Sequence, residues 1–225
     1  MSRILIAGGG GFGLEMYGYL TGALTSTLSS VQRPEPTMVG ILNDGPDCEV
    51  LRKVPHAPYV GNIQDHQPEP GDAVVIAIGD AAARRKVAQM LRARGARLLT
   101  YIHPTALVAD TAMIGEGAII CPHSIVNAGA QVGENVAVNV FCSIGHGAQV
   151  GAHSVLSPYC ALSGDSVLGE GGFMGTRATL FPKVVLGANC VVDAHSPVKQ
   201  SAPDRKLISM RGQYLVLDNR LAPKA

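Results

Sequence analysis

The chain has 225 residues, which at roughly 150 residues per domain suggests one large domain or two modest ones. Hydrophobic residues make up 47%, charged residues 16% and aromatic residues 4%, with 27 glycines and no tryptophan, which is too apolar for a disordered chain and short of the aromatic bulk of an ordinary core. The net charge of +1 argues against a broad nucleic-acid or membrane-surface footprint, and no apolar run reaches the roughly 18 residues of a membrane span.

In chain order, residues 1–7 lead into a glycine cluster with no signal-peptide features, so a cytoplasmic protein is expected. Residues 4–7 read as a buried strand, followed by the cluster around Gly8-x-Gly10-x-x-Gly13 and a helix over about 14–24. Further strands are expected at 37–42 and 73–78, a loop over the Pro-rich stretch 55–70, and a helix at 81–95. Strands alternating with helices predict a small, Rossmann-like parallel α/β sheet over residues 1–100. Glycines between a strand and a helix let backbone N–H groups approach a phosphate at the helix start. A dinucleotide site expects an acidic residue about 20 positions further on. Asp44 lies 31 beyond Gly13, so a nucleotide is favoured over NAD in particular.

The second half has a period of six. Every sixth residue from 102 to 198 is aliphatic or Met, and from Ala106 onward the residue two positions earlier is small or slim. Gly115, Gly133, Gly151, Gly169 and Gly187 recur every eighteen residues. One large and one small inward residue per hexapeptide describe a triangular coil, three hexapeptides to a rung. A core this narrow leaves no room for aromatics, which accounts for the composition. The coil is expected over 101–203, with residues 204–225 as a tail in which 213–225 packs on a rung.

A short glycine-loop α/β domain followed by a hexapeptide coil resembles the bacterial sugar O/N-acyltransferases. These include the bacillosamine- and perosamine-pathway N-acetyltransferases and sialic-acid O-acetyltransferase relatives. The matching stretches are Gly10-Gly11-Phe12-Gly13-x-Glu15, Gly40-Ile41-Leu42-Asn43-Asp44, Ile78-Gly79-Asp80 with Arg84 and Arg85, His103-Pro104-x-Ala106, Ile144-Gly145-His146 and Leu162-Ser163-Gly164. The resemblance implies a left-handed parallel β-helix that forms a homotrimer with active sites between subunits. It implies a nucleotide-linked amino sugar held by Gly11, Phe12, Gly13, Asn43, Asp44 and Gly79. Acetyl-CoA as cosubstrate would lie against Val155, Gly164, Thr176 and Ala194. His146 falls at the family's general base and Gly164 at its backbone oxyanion donor.

That assignment suits the chemistry. An ammonium is not a nucleophile, so a base near neutrality must take its proton, and the oxyanion formed at the thioester needs an N–H donor. The chain also departs from the family. Gly147 stands where an acidic residue follows the base, Val155 where a second His contacts the thioester region, and Asp193-Ala194-His195 and Ser209-Met210-Arg211-Gly212 replace glycine- and proline-bearing motifs. An O-acetyltransferase and a non-catalytic nucleotide-sugar-binding trimer are therefore the alternatives to an N-acetyltransferase. Cys142 and Cys160 read as fillers of the small column rather than a disulfide. His103, His123, His153 and His195 occupy different places in the repeat, so no metal is expected. Arg177, Lys183 and Lys199 are expected either to meet the CoA phosphates or to form a solvated face.

Overall fold

The computed structural model describes residues 3–22 and 38–210. Within residues 3–100 the elements are β1 (Arg3–Ala7), α1 (Gly11–Thr21), β2 (Met38–Leu42), α2 (Glu49–Lys53), β3 (Tyr59–Gly61), β4 (Asp72–Ile76), α3 (Ala81–Ala93) and β5 (Arg97–Leu98). The strands pair in parallel in the order β3-β2-β1-β4-β5. Sequence patterning anticipates β1, β2, β4, α1 and α3. It misses α2 and β5, which are too short to show a period, and β3, which sits in the stretch expected to be loop. The helix expected at 14–24 begins earlier, at Gly11, and ends at Thr21, where Gly22 takes a left-handed φ of 75° as its C-cap.

From Tyr101 onward each rung gives one two-residue strand to each of three parallel sheets. The face carrying Tyr101–Ile102, Ile119–Ile120 and Ala137–Val138 is called the first face. The second carries Leu107–Val108, Ile125–Val126 and Ser143–Ile144, and the third Met113–Ile114, Gln131–Val132 and Gln149–Val150. Partners lie eighteen apart, as in Ile125↔Ser143 and Val126↔Ile144. In each pair the second residue points inward, and these residues fill one continuous core with the small column between them. Ser and Cys suit that column because they satisfy carbonyls at the next corner. Ser124 Oγ donates to Asn139 O (2.7 Å), and Cys142 Sγ lies 3.2 Å from Ser157 O. The eighteen-residue glycines have a steric cause, since a Cβ on Gly133 would come within 2.7 Å of the Ala152 backbone nitrogen one rung on. The first face continues beyond residue 203 through Leu207–Ile208, which pairs with Val191–Val192. Residues 213–225, expected to pack on a rung, lie outside the described residues.

The first face carries the α/β unit. Met16 and Tyr17 of α1 share one buried cluster with Tyr101, Ile119 and Cys121. α3 runs along the corner between the third and first faces, where Arg85 pairs with Glu170 (2.9 Å) and Arg92 with Glu134 (2.7 Å) and Glu116 (2.9 Å). Between these pairs the fully buried Arg84 donates to the carbonyls of Asn135 (2.7 Å), Ile78 (3.3 Å) and Ile76. Burial pushes its guanidinium down to about 9, which still leaves it charged at neutral pH.

Candidate active site

The first part of the site grows from the β1–α1 turn. β1 and β4 are adjacent strands whose connections leave in opposite directions, and such a switch point opens a crevice at the strands' C-terminal ends. Gly8 takes a φ of 115°, and a Cβ there would meet Ala77 O at 2.7 Å, so the turn hugs the end of β4. A Cβ on Gly13 would overlap Gly8 O, so only glycine lets α1 start this close to the loop. The N-cap Gly10 gives the first N–H groups of α1 no side-chain partner, and a Cβ on Gly10 would meet nothing within 4 Å. On the other wall, a Cβ at Gly79 would meet nothing within 4 Å. Beyond Gly79 a cleft of about 720 Å³ runs between Asp80, Arg85, Lys86 and Gln89 of the α/β unit and Phe173, Asn189 and Val191 of the coil.

Asn43 has a bracing role that sequence reasoning did not anticipate. Its Oδ1 accepts from Gly9 N (3.0 Å) and its Nδ2 donates to Gly45 O (3.0 Å), so it ties the end of β2 to the glycine loop. Asp44 is exposed beside it.

The second part lies at the corner between the second and third faces. The turn Gly145-His146-Gly147 leaves the His146 side chain exposed. Its ring folds over the turn below, and a Cβ at Gly164 would overlap the Cε1 and Nε2 atoms. Among the described residues the imidazole has no hydrogen-bond partner, and the amide of Gly164 has no acceptor. A proton acceptor and a free backbone donor therefore sit side by side, the pair that acyl transfer from a thioester needs.

The remaining residues expected to contact CoA are not brought to this corner. Val155 is an outward residue of the first face and is only 5% exposed. Thr176 and Ala194 stack at the corner between the first and second faces, where His195 N donates to Thr176 O (2.8 Å). His153 is not at the acyl corner either. It is buried beneath α3, with its Nδ1 3.0 Å from Asn135 Nδ2 and its Nε2 3.5 Å from Glu134, and burial lowers its basicity. Arg177 and Lys199 lie over the Tyr159 and Phe181 rings at 5.0 and 5.2 Å. All five cysteines are free and buried, and no group of three or more His, Cys, Asp or Glu that could hold a metal occurs among the described residues. No helix among them is long and apolar enough to cross a membrane.

The glycine loop and His146 lie on opposite sides of one chain. The loop sits over the first face, whereas His146 is on the corner opposite that face.

No protein-family model and no curated protein sequence matches the chain. Solved structures do. The acetyltransferase domain of PglB from Neisseria gonorrhoeae is similar over 91% of this chain and 94% of its own, with a TM-score of 0.78 at 24% identity. A mutant perosamine N-acetyltransferase from Caulobacter crescentus, in complex with CoA and GDP-perosamine, is similar over 93% of both chains, with a TM-score of 0.77 at 26% identity. WeeI from Acinetobacter baumannii gives a TM-score of 0.75 at 20% identity, over 92% of this chain and 97% of its own. Over nine-tenths of its length the chain therefore has the architecture of solved acetyltransferases, a perosamine N-acetyltransferase among them, as its sequence motifs led one to expect.

Proposed function

We propose that the protein is an acetyl-CoA-dependent N-acetyltransferase acting on the amine of a nucleotide-linked amino-dideoxy sugar, with His146 as general base. The observation that carries this reading is the exposed His146 imidazole seated on Gly164, whose amide is free to receive a developing oxyanion. The architecture supports it, because a solved neighbour at 26% identity is a perosamine N-acetyltransferase complexed with CoA and GDP-perosamine.

In this reading the glycine loop, Asn43, Asp44 and Gly79 hold the nucleotide, with its phosphates at the start of α1. The thioester lies along the coil with its carbonyl oxygen toward the Gly164 N–H. The sugar amine attacks the carbonyl carbon, and the His146 nitrogen takes the ammonium proton as the C–N bond forms. The C–S bond then breaks, and the same proton passes from the imidazolium to the departing thiolate. No enzyme nucleophile is required, since the thioester is already activated.

Because loop and base lie on opposite sides of one chain, the site is completed between copies, which the reading assigns to a homotrimer of left-handed coils in the cytoplasm serving glycan synthesis. Val155, Thr176 and Ala194 would meet CoA from the facing copy.

The test is CoA thiol release with UDP-, GDP- and dTDP-linked 4-amino-4,6-dideoxy sugars and their 4-hydroxy counterparts. Release with an amine alone supports the reading. Release with a hydroxyl alone makes the protein an O-acetyltransferase, and binding of a sugar nucleotide with no release makes it a non-catalytic trimer.

A further inference from the structure

Along the corner between the first and second faces the side chains form a ladder. His123, Phe141 and Tyr159 stack ring on ring at 5.0 Å, with interplanar angles of 20° and 4°, and Arg177 lies over Tyr159. The backbone is left-handed at these residues, with φ of 57° at Phe141 and 63° at Tyr159, a conformation that bulky residues rarely adopt. Gly117, Gly129, Asn135, Gly147 and Gly171 hold the same place in other turns, where the conformation costs them less. Phe141 and Tyr159 are also 48% and 47% exposed. Two large apolar groups are thus kept in water at places that suit glycine, and strain retained in this way points to a use for the side chains.

The ladder's place in the fold says what meets it. The first face ends at two corners. α3 lies along one, held there by the Arg85–Glu170 and Arg92–Glu134 pairs, and the ladder is the other. A site completed between copies has to bring His146 of one copy to the crevice over the first face of another, and the ladder's corner is the edge left for it to cross. The heights agree as well. Phe141 and His146 stand at the two ends of the strand Ser143–Ile144, and Tyr159 and Gly164 at the two ends of the next, Ala161–Leu162. In a closed assembly of parallel coils equivalent residues share one height. Phe141 of one copy then comes level with His146 of the next, and Tyr159 with Gly164. Between the two corners the outward residues Ser143, Ala161 and Thr179 are small enough for close approach.

We infer that the ladder of one copy is the surface on which the His146 corner of a second copy docks, with Phe141 and Tyr159 as the apolar wall of the acetyl-transfer site. The wall keeps water from the thioester and leaves the polar roles to the imidazole and the Gly164 amide. The inference rests on the reading that the site is completed between copies.

The test uses full-length protein and has two arms. In the first, Phe141→Gly with Tyr159→Gly removes both rings at positions whose φ suits glycine, so the coil is expected to fold, with circular dichroism as the check. The dissociation constant of the assembly, from sedimentation velocity, is expected to rise at least about 10-fold, as for loss of aromatic anchors from an interface. At concentrations where the variant is still assembled, kcat is expected to fall about 10-fold, and Tyr159→Phe is expected to keep wild-type values. A lowered melting temperature with assembly and kcat both within about twofold of wild type would make the ladder a staple within one chain and overturn the inference.

The second arm needs no turnover. Phe141→Cys is placed on one chain and Ser163→Cys, beside Gly164, on another, and the two are co-expressed; the five native cysteines are buried. A short bismaleimide is expected to join the two chains, and neither variant alone is expected to give a linked pair. Assemblies that form but give no cross-chain product would mean that the ladder faces something else, and a monomeric wild type would overturn the inference outright. If wild type releases no CoA with any acceptor, it is the acetyl-transfer reading that fails, and the cross-link still decides the contact.

Discussion

The His146 imidazole occupies the space that a side chain on Gly164, one rung below, would need. Gly164 has no left-handed φ, so alanine costs nothing there in backbone strain and acts only by displacing the ring. Gly164→Ala is expected to lower kcat about 10- to 100-fold, since a general base works only within hydrogen-bond reach of its proton. Its thermal midpoint should stay within about 2 °C of wild type, because the change lies outside the coil's core. Steady-state thiol release and a melting curve check both. Wild-type activity in the variant would place the working position of His146 elsewhere.

Completion of the site between copies has its own test. Gly79→Trp adds a ring where a Cβ meets open space, so it should fold and fill the nucleotide crevice. His146→Ala removes the base and leaves the crevice intact. Each variant alone should be inactive. Co-expressed, randomly mixed assemblies should regain roughly a quarter of wild-type activity, because one site in four pairs an intact crevice with an intact base across the interface. No recovery in co-purified mixed assemblies would mean that each chain builds its own site.

Stability should fall in two steps as the medium is acidified. His66 and His153 are held below their ordinary value of 6.5 by burial, in His66 despite the nearby Asp72 carboxylate. The unfolded chain therefore takes up protons below about pH 6.5 that the folded chain refuses, and stability drops there. Asp72 is held below its ordinary 3.8 chiefly by the Arg3 guanidinium, which donates to it at 2.7 and 2.8 Å. Its contribution is complete above about pH 4 and is lost as pH falls further. Asp72→Asn should remove the second step and cost about 1–3 kcal/mol at neutral pH, the range for breaking a buried charge-assisted bond. Urea midpoints from pH 7 to pH 3 check this, and a flat curve between pH 7 and 5 would contradict the histidine account.

The coil was legible because each of its strands contributes one inward residue, so a period of six survives in the sequence whatever the turns carry. His146 stood out in the sequence because it interrupts a turn otherwise made of Gly145, Gly147 and Ala148, and because the motif around it resembles that of the sugar acyltransferases. The roles of Asn43, Arg84 and His153 had no local signal, since their partners come from the β1 loop, from the other unit and from the neighbouring rung respectively. The short elements α2, β3 and β5 exist through tertiary pairing, and a five-, three- or two-residue segment carries no period of its own.

The central claim is that His146 takes the proton from the attacking amine. It is tested most directly by thiol release from acetyl-CoA, with the accepted amino sugar, by wild type and His146→Ala side by side. The account predicts at least about a 100-fold loss of kcat with KM for acetyl-CoA little changed. A variant that turns over at the wild-type rate would contradict it.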